Sequence, residues 1–327
     1  MAILIVSVFL HLPPTEQSPT TFKARLYRVD FLGAFVLVVA VLSFLIGLDQ
    51  ASDLSLTSPL VIGGLSIALV FFLALMYVES FVAAEPLAPP HIVKQPTILA
   101  SCLANFFSLG ANMTMLFYVP LYYQASEALS AHQAGLRLLP AIAGAVLGSL
   151  SGGIIVQKTG RFYWLTLFVY TLSTLGGVLV VISSARASHV GISIGILFTG
   201  FGNGAGVTTT LVALIAAAGN KDQAVATAVS YLFRALGTVA GVSIGSALVQ
   251  GQLRRELAKR LTGDDTDEIV RKVRESLEFI GTLPEGTREI VRACYKDAVR
   301  MSFTFAVALA VCAIVSAAFI KEKKLRR

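Results

Sequence analysis

Eight stretches of this chain are long, apolar and almost free of charge: Phe31–Leu48, Pro59–Tyr77, Ile98–Tyr123, Leu138–Val156, Phe162–Ile182, Val190–Ala217, Ala224–Val249 and Met301–Ile320. Each approaches or exceeds the roughly 20 residues that a helix needs to cross a bilayer. Lipid offers no partner to a bare N–H or C=O, so a crossing segment must pair its own backbone as a helix or close into a barrel. Barrel strands are short and alternate apolar with polar residues, whereas these runs are continuous. The expected fold is an all-α polytopic membrane protein with eight transmembrane helices.

Charge sharpens this reading. Charged residues make up 14% of the 327 positions, against roughly 25% in a soluble domain. Twenty-one of the 45 charges fall between Gly251 and Arg300, which leaves about 9% over the other 277 positions. That density excludes a soluble enzyme, a disordered chain and a basic-patch nucleic-acid binder, so the expected partner is the lipid bilayer and no nucleic acid.

The net charge of +7 follows the tendency of Lys and Arg to collect in short cytoplasmic loops. With eight spans, one face receives Lys23, Arg25, Arg28, Lys94, Lys158, Arg161, Lys221, Lys321, Lys323, Lys324, Arg326 and Arg327. The opposite short loops hold Arg186, with Arg137 at a span edge. Both ends of the chain are then cytoplasmic, and the polar insert 251–300 faces the lumen or exterior. Ile269, Val273, Leu277 and Ile280 form one apolar stripe in that insert, as on an amphipathic helix. Asp265 or Thr266 can cap its start, Leu283–Gly286 breaks it, and a second helix from about Glu289 runs into the eighth span. The stripe serves either a partner or membrane surface or, the preferred reading, packing against the chain's own bundle.

Met1–Leu12 is apolar but too short to span, and it lacks the charged start and cleavage site of a signal peptide. It reads as the tail of a preceding span, so the chain is expected to be the C-terminal part of a longer protein. Cys102, Cys294 and Cys312 form no CxxC or Cys/His cluster, so no disulfide framework, metal or cofactor is expected.

Small residues let membrane helices approach closely. Gly144, Gly148 and Gly152 form one such stripe, and Gly237, Gly241 and Gly245 another. In the sixth span Gly200, Gly202, Gly204 and Gly206 alternate and leave both faces bare. The string Gly200–Ala205 fits a dinucleotide fingerprint by spacing, but that motif needs a preceding strand, and here it lies within an apolar span.

Polar side chains in hydrocarbon need a partner or a wet cavity. Ser101, Asn105, Ser108 and Asn112 share one helical face. Asn203, Thr208, Thr209 and Thr210 are the counterparts on the sixth span. Either group could line a substrate cavity or bond helix to helix. Tyr118, Tyr122 and Tyr123 have the composition of an interfacial aromatic belt. Arg234 is the one charge inside the eight apolar runs. It is either a functional intramembrane cation or an arginine that snorkels to the surface. No Asp or Glu sits mid-span, so a proton-coupling group is expected outside these residues.

Gly153-Ile-Ile-Val-Gln157-Lys158-Thr-Gly160-Arg161 resembles the G-x-x-x-D-R-x-G-R loop of the major facilitator superfamily. Gln157 stands in place of the acid. The stretches Glu85–His91, Gln133–Pro140 and Tyr231–Gly245 resemble fungal fourteen-span drug:H+ antiporters. Val229–Leu236 and Phe319–Leu325 bring the likeness closest to vacuolar basic amino acid transporters.

The resemblance implies a layout. Residues 1–12 would be the remnant of a preceding helix, 13–30 a cytoplasmic loop, 31–80 two linker helices and 81–97 a second cytoplasmic loop. A six-helix bundle with the polar insert would fill 98–320, and 321–327 would be a cytoplasmic tail. Spans three, four, six and seven would line the cavity, with Asn105, Asn112, Asn203, Thr208 and Arg234 as substrate-cavity candidates.

The expected function is secondary transport, as a proton antiporter of small cationic or amphipathic solutes. Basic amino acids into a vacuole are the first choice, and drug or toxin efflux across the plasma membrane the second. Small-molecule substrate and protons are the expected partners, with the missing N-terminal half. A different class of reading is a truncated, non-transporting membrane protein that docks onto a full-length relative. No nucleophile–base pair appears in any span, so an enzyme is not expected.

Overall fold

The computed structural model describes residues 30–53, 58–82, 89–260 and 278–323. Eight helices among the described residues are long and apolar enough to cross a membrane. They are α1 (Phe31–Asp53), α2 (Pro59–Tyr77), α3 (Pro96–Glu127), α4 (Leu139–Thr159), α5 (Tyr163–Ala185), α6 (His189–Gly219), α7 (Asp222–Arg260) and α8 (Glu285–Ala318). Each expected span falls within or closely on one of them. Met1–Leu12, the loop basic residues Lys23, Arg25 and Arg28, and the tail residues Lys324, Arg326 and Arg327 lie outside the described residues. So do Glu85, Asp265, Thr266 and most of the insert stripe.

Local chemistry sets the helix ends. Pro starts α2, α3 and α4 in the first turn, where a missing N–H costs no helical bond. Gly160, at φ 66°, closes α4, and its N–H bonds Val156 O at 2.8 Å. Gly219, at φ 71° and ψ 177°, separates α6 from α7. Such a conformation is open essentially to glycine alone. Ser130 and Gln133 form a capping box on the turn Ala131–Leu136 that leads into α4.

Helices α3 to α8 run alternately up and down in one bundle, and hydrogen bonds at the two ends fix this order. At the end that holds Lys158 and Arg161, Tyr163 Oη donates to Ala318 O at 3.3 Å, and Lys321 N–H donates to Thr97 Oγ1 at 3.3 Å. At the opposite end Tyr122 Oη donates to Ser184 O at 3.0 Å, and His189 Nδ1 sits 3.5 Å from Glu127 Oε1. The α1–α2 hairpin crosses at Gly47 and Gly64, where a Cβ on Gly64 would lie 2.9 Å from Gly47 Cα. It stands beside the bundle and leans on α7. An opening of about 430 Å³ lies between Leu45 and Ile46 on α1 and Phe117, Ser243 and Ser246 on the bundle.

The glycine stripes lie where backbones nearly touch. A Cβ on Gly144 would overlap Leu197 O, one on Gly148 would overlap Phe201 O, and one on Gly152 would crowd Ala205. A Cβ on Gly237 would overlap Phe106 O, and one on Gly241 would press on Gly110. Gly245 fits under the Tyr118 ring. On α6, Gly200 and Gly204 face Ala141 and Ala145 of α4, while Gly202 and Gly206 face Val169 and Tyr170 of α5. The alternating glycines thus let α6 lie between two neighbours at backbone distance.

Both described ends of the polar insert are helical. α7 continues past Val249 to Arg260, and α8 begins at Glu285, sixteen positions before Met301. Leu253, Leu257, Ile280, Leu283, Val291 and Val299 share one core with Tyr118–Ala125 of α3. That core also encloses Tyr118, Tyr122 and Tyr123, all 2% exposed or less. These tyrosines are therefore buried and not an exposed belt: Tyr118 packs on Gly245, Tyr122 on Phe303 and Ser184, and Tyr123 between His189 and Arg137. Arg260 on α7 pairs with Asp297 on α8 at 2.9 Å and closes the extension.

Candidate functional site

The polar residues in the spans gather where α3, α6 and α7 meet. Asn105 is fully buried; its Nδ2 donates to Ser230 Oγ at 3.2 Å, and its Oδ1 accepts from Thr210 Oγ1 at 3.0 Å. One asparagine therefore ties three helices together. One turn further on, Ser108 Oγ donates to Asn203 Oδ1 at 3.1 Å. This knot can form because Gly237 and Gly241 bring α7 onto the backbone of α3.

Arg234 lies at the edge of the same junction. One of its terminal nitrogens is 3.5 Å from Val207 O on α6, and its guanidinium carbon lies 5.1 Å from the Tyr231 ring centroid. Its Nε is buried without a hydrogen-bond partner. Arg234 is twelve residues from Asp222, and Val207 is twelve from Gly219, so both helices place the contact about 18 Å from their shared turn. At that depth its one hydrogen-bond contact among the described residues is to α6.

Tyr170 of α5 closes the junction from behind. It is 1% exposed and packs its ring on Gly206. Its hydroxyl lies beside Thr210 and Ser108 and within electrostatic reach of Arg234.

The other two cavity candidates lie elsewhere. Thr208 faces α4, where its hydroxyl shares a 3.2 Å hydrogen bond with Ser149. Asn112, two turns beyond Asn105, borders a cleft of about 10 Å³ with Met115, Ser173, Gly177, Thr199 and Val307, roughly room for one water. The structure thus brings Asn105, Asn203 and Arg234 together and separates Asn112 and Thr208 from them. Ser230 and Tyr170 were absent from the sequence-derived candidates. Ser230 does carry a sequence signal, since it lies one turn before Arg234 on the same face.

The loop between α4 and α5 is a helix stop. Gly160 supplies the positive φ, and Arg161 N–H donates to Thr159 Oγ1 at 3.3 Å. A Cβ on Gly153 would meet the Thr208 methyl at 3.9 Å, and Gln157 and Lys158 are exposed. Among the described residues no group of three His, Cys, Asp or Glu could hold a metal. Cys102 and Cys294 are buried, Cys312 is exposed, and all three are free.

A solved bacterial homolog of the human lysosomal transporter Spinster, inward-facing and occupied, superposes on 87% of this chain and 65% of its own length. The TM-score is 0.57 at 16% identity. The bundle has a major facilitator fold. The inward-facing, unoccupied form of a bacterial Spinster homolog aligns over the same 87% with a TM-score of 0.50.

Curated relatives match nearly end to end on this side. The chain is 33% identical over 326 residues to the vacuolar membrane amino acid uptake transporter fnx2 of Schizosaccharomyces pombe. It is 30% identical over 327 residues to the multidrug resistance protein fnx1 of the same yeast. The MFS-type transporter TwmF of Talaromyces wortmannii is 26% identical over 339 residues. These matches take in 98% or 99% of this chain but 56%, 61% and 60% of the relatives. No family model matches the chain. Its relatives are MFS-type transporters, and the chain itself is a multi-pass integral membrane protein.

Proposed function

We propose that this chain belongs to a secondary active transporter of small cationic or amphipathic solutes, with basic amino acids moved into the vacuole as the first reading. The match to a vacuolar amino acid uptake transporter over 99% of the chain carries this reading. Solute would move by rocking of this bundle against a second one, as in related folds. A bundle of this kind offers half of a midplane site, so transport needs helices beyond these eight. The chain spans about three-fifths of its relatives, which supports a layout of linker pair (31–80) and C-terminal six-helix bundle (98–320). The basic end that holds Lys158 and Arg161 then faces the cytoplasm, and proton antiport is the proposed coupling.

Multidrug efflux across the plasma membrane is the second reading, favoured by the 30% identity to a multidrug resistance protein. Two assays separate them in cells with and without the gene. One is ATP-dependent uptake of radiolabelled Lys, Arg and His by vacuolar vesicles. The other is whole-cell resistance to cationic drugs. Loss of uptake with unchanged resistance supports the first reading, and the opposite pattern supports the second.

A further inference from the structure

We infer that Arg234 receives the carboxylate of the transported solute, so that the site selects amino acids over cations that lack a carboxylate. This rests on the amino acid reading above and assigns a residue to its specificity.

The first observation is one of sign. Arg234 is the one charge inside the eight apolar runs, and no Asp or Glu lies mid-span to oppose it. Among the described residues it forms no ion pair. A cation at this depth is costly unless something negative joins it.

The second observation is geometric. A guanidinium has five N–H donors in a fixed fork that matches a carboxylate. The protein offers these donors one carbonyl, at 3.5 Å, and leaves Nε buried and unpartnered. The buried Tyr170 hydroxyl, beside Thr210 and Ser108, lies within its electrostatic reach. The unmet guanidinium donors of Arg234 suit an acceptor-only ligand. Asn105 is already committed to Ser230 and Thr210, so it builds the junction and leaves recognition to Arg234.

The third observation concerns what the junction lacks. A purely cationic solute finds no carboxylate here and meets a fixed positive charge. A basic amino acid can place its carboxylate on Arg234 and direct its cationic side chain away from this bundle.

The test uses the protein expressed from its native gene, in vacuolar vesicles, with abundance measured by immunoblot. Radiolabelled lysine uptake is challenged with unlabelled lysine, lysine methyl ester and 1,5-diaminopentane, which is lysine without its carboxylate. In the wild type, the ester and the diamine should compete at least about tenfold less well than lysine, the loss of one charge-assisted contact. Arg234→Ala should raise the KM for lysine about ten- to hundredfold and leave the diamine's inhibition unchanged or stronger, so the preference disappears. Arg234→Lys should restore part of it. Normal discrimination in an abundant Arg234→Ala protein would overturn the inference, as would an equal loss for lysine and the diamine. If the wild type takes up no amino acid, the amino acid reading fails and the inference fails with it. If it takes up lysine and the diamine equally well, only the inference fails.

Discussion

Asn105 donates from Nδ2 to the Ser230 hydroxyl at 3.2 Å and accepts from Thr210 at 3.0 Å. These bonds cross from α3 to both α7 and α6 within a fully buried junction. Interhelical hydrogen bonds in membrane proteins average about 0.6 kcal/mol and reach about 1.7 kcal/mol. Asn105→Leu removes two of them and strands Ser230. The detergent-solubilised protein should lose about 1–3 kcal/mol of stability, seen as a lower melting temperature. The protein that still folds should keep its KM for substrate. A raised KM with an unchanged melting temperature would mean that Asn105 contacts solute.

The seam between α4 and α6 has no room for a side chain at Gly148, where a Cβ would overlap the Phe201 carbonyl. Gly148→Leu should abolish accumulation of folded protein, measured as the monodisperse fraction in size-exclusion chromatography. Gly251, a helical glycine with nothing within 4 Å of its missing Cβ, is the control. Gly251→Ala should be neutral or stabilise by about 0.5–1 kcal/mol.

The break between α6 and α7 depends on Gly219, whose φ of 71° and ψ of 177° suit no side chain. Gly219→Ala should cost about 1–3 kcal/mol. The nearby space is open, so the loss would be one of backbone strain. A melting temperature equal to the wild type would show that the turn relaxes to another conformation.

Arg260 and Asp297 join the two helical extensions at 2.9 Å, but both side chains are about two-fifths exposed. Exposed pairs contribute about 0.2–1 kcal/mol and are screened by salt. Asp297→Asn should therefore lower stability by less than about 1 kcal/mol, and the difference should shrink at high salt. The apolar contacts of Leu253, Leu257 and Val291 carry the extension instead. Leu257→Ala should cost about 2–5 kcal/mol.

The spans were readable from sequence because a bilayer disfavours charge over a known length, and all eight apolar runs, with Arg234 as their one charge, fall within or closely on helices. Helix ends outside the bilayer follow no such rule. The helix expected from about Glu289 into the eighth span starts at Glu285, because charged residues such as Glu289 and Arg292 can continue a helix into water. The tyrosines at 118, 122 and 123 read as an interfacial belt, but partners from other spans, such as Phe303 and His189, bury them. At the junction, the residue types were visible but their partners were not. Asn105 and Asn112 lie on one face of α3, yet one bonds two helices and the other borders a small cleft. Tyr170 gave no sign in sequence because its neighbour, Gly206, lies on another span.

The central claim is proton-coupled amino acid transport. Its most direct test adds lysine to acidified vacuolar vesicles and follows lumenal pH with an entrapped dye. Vesicles from cells carrying the gene should show lysine-dependent alkalinisation well above that of vesicles from cells lacking it. Equal responses in the two preparations would contradict the account.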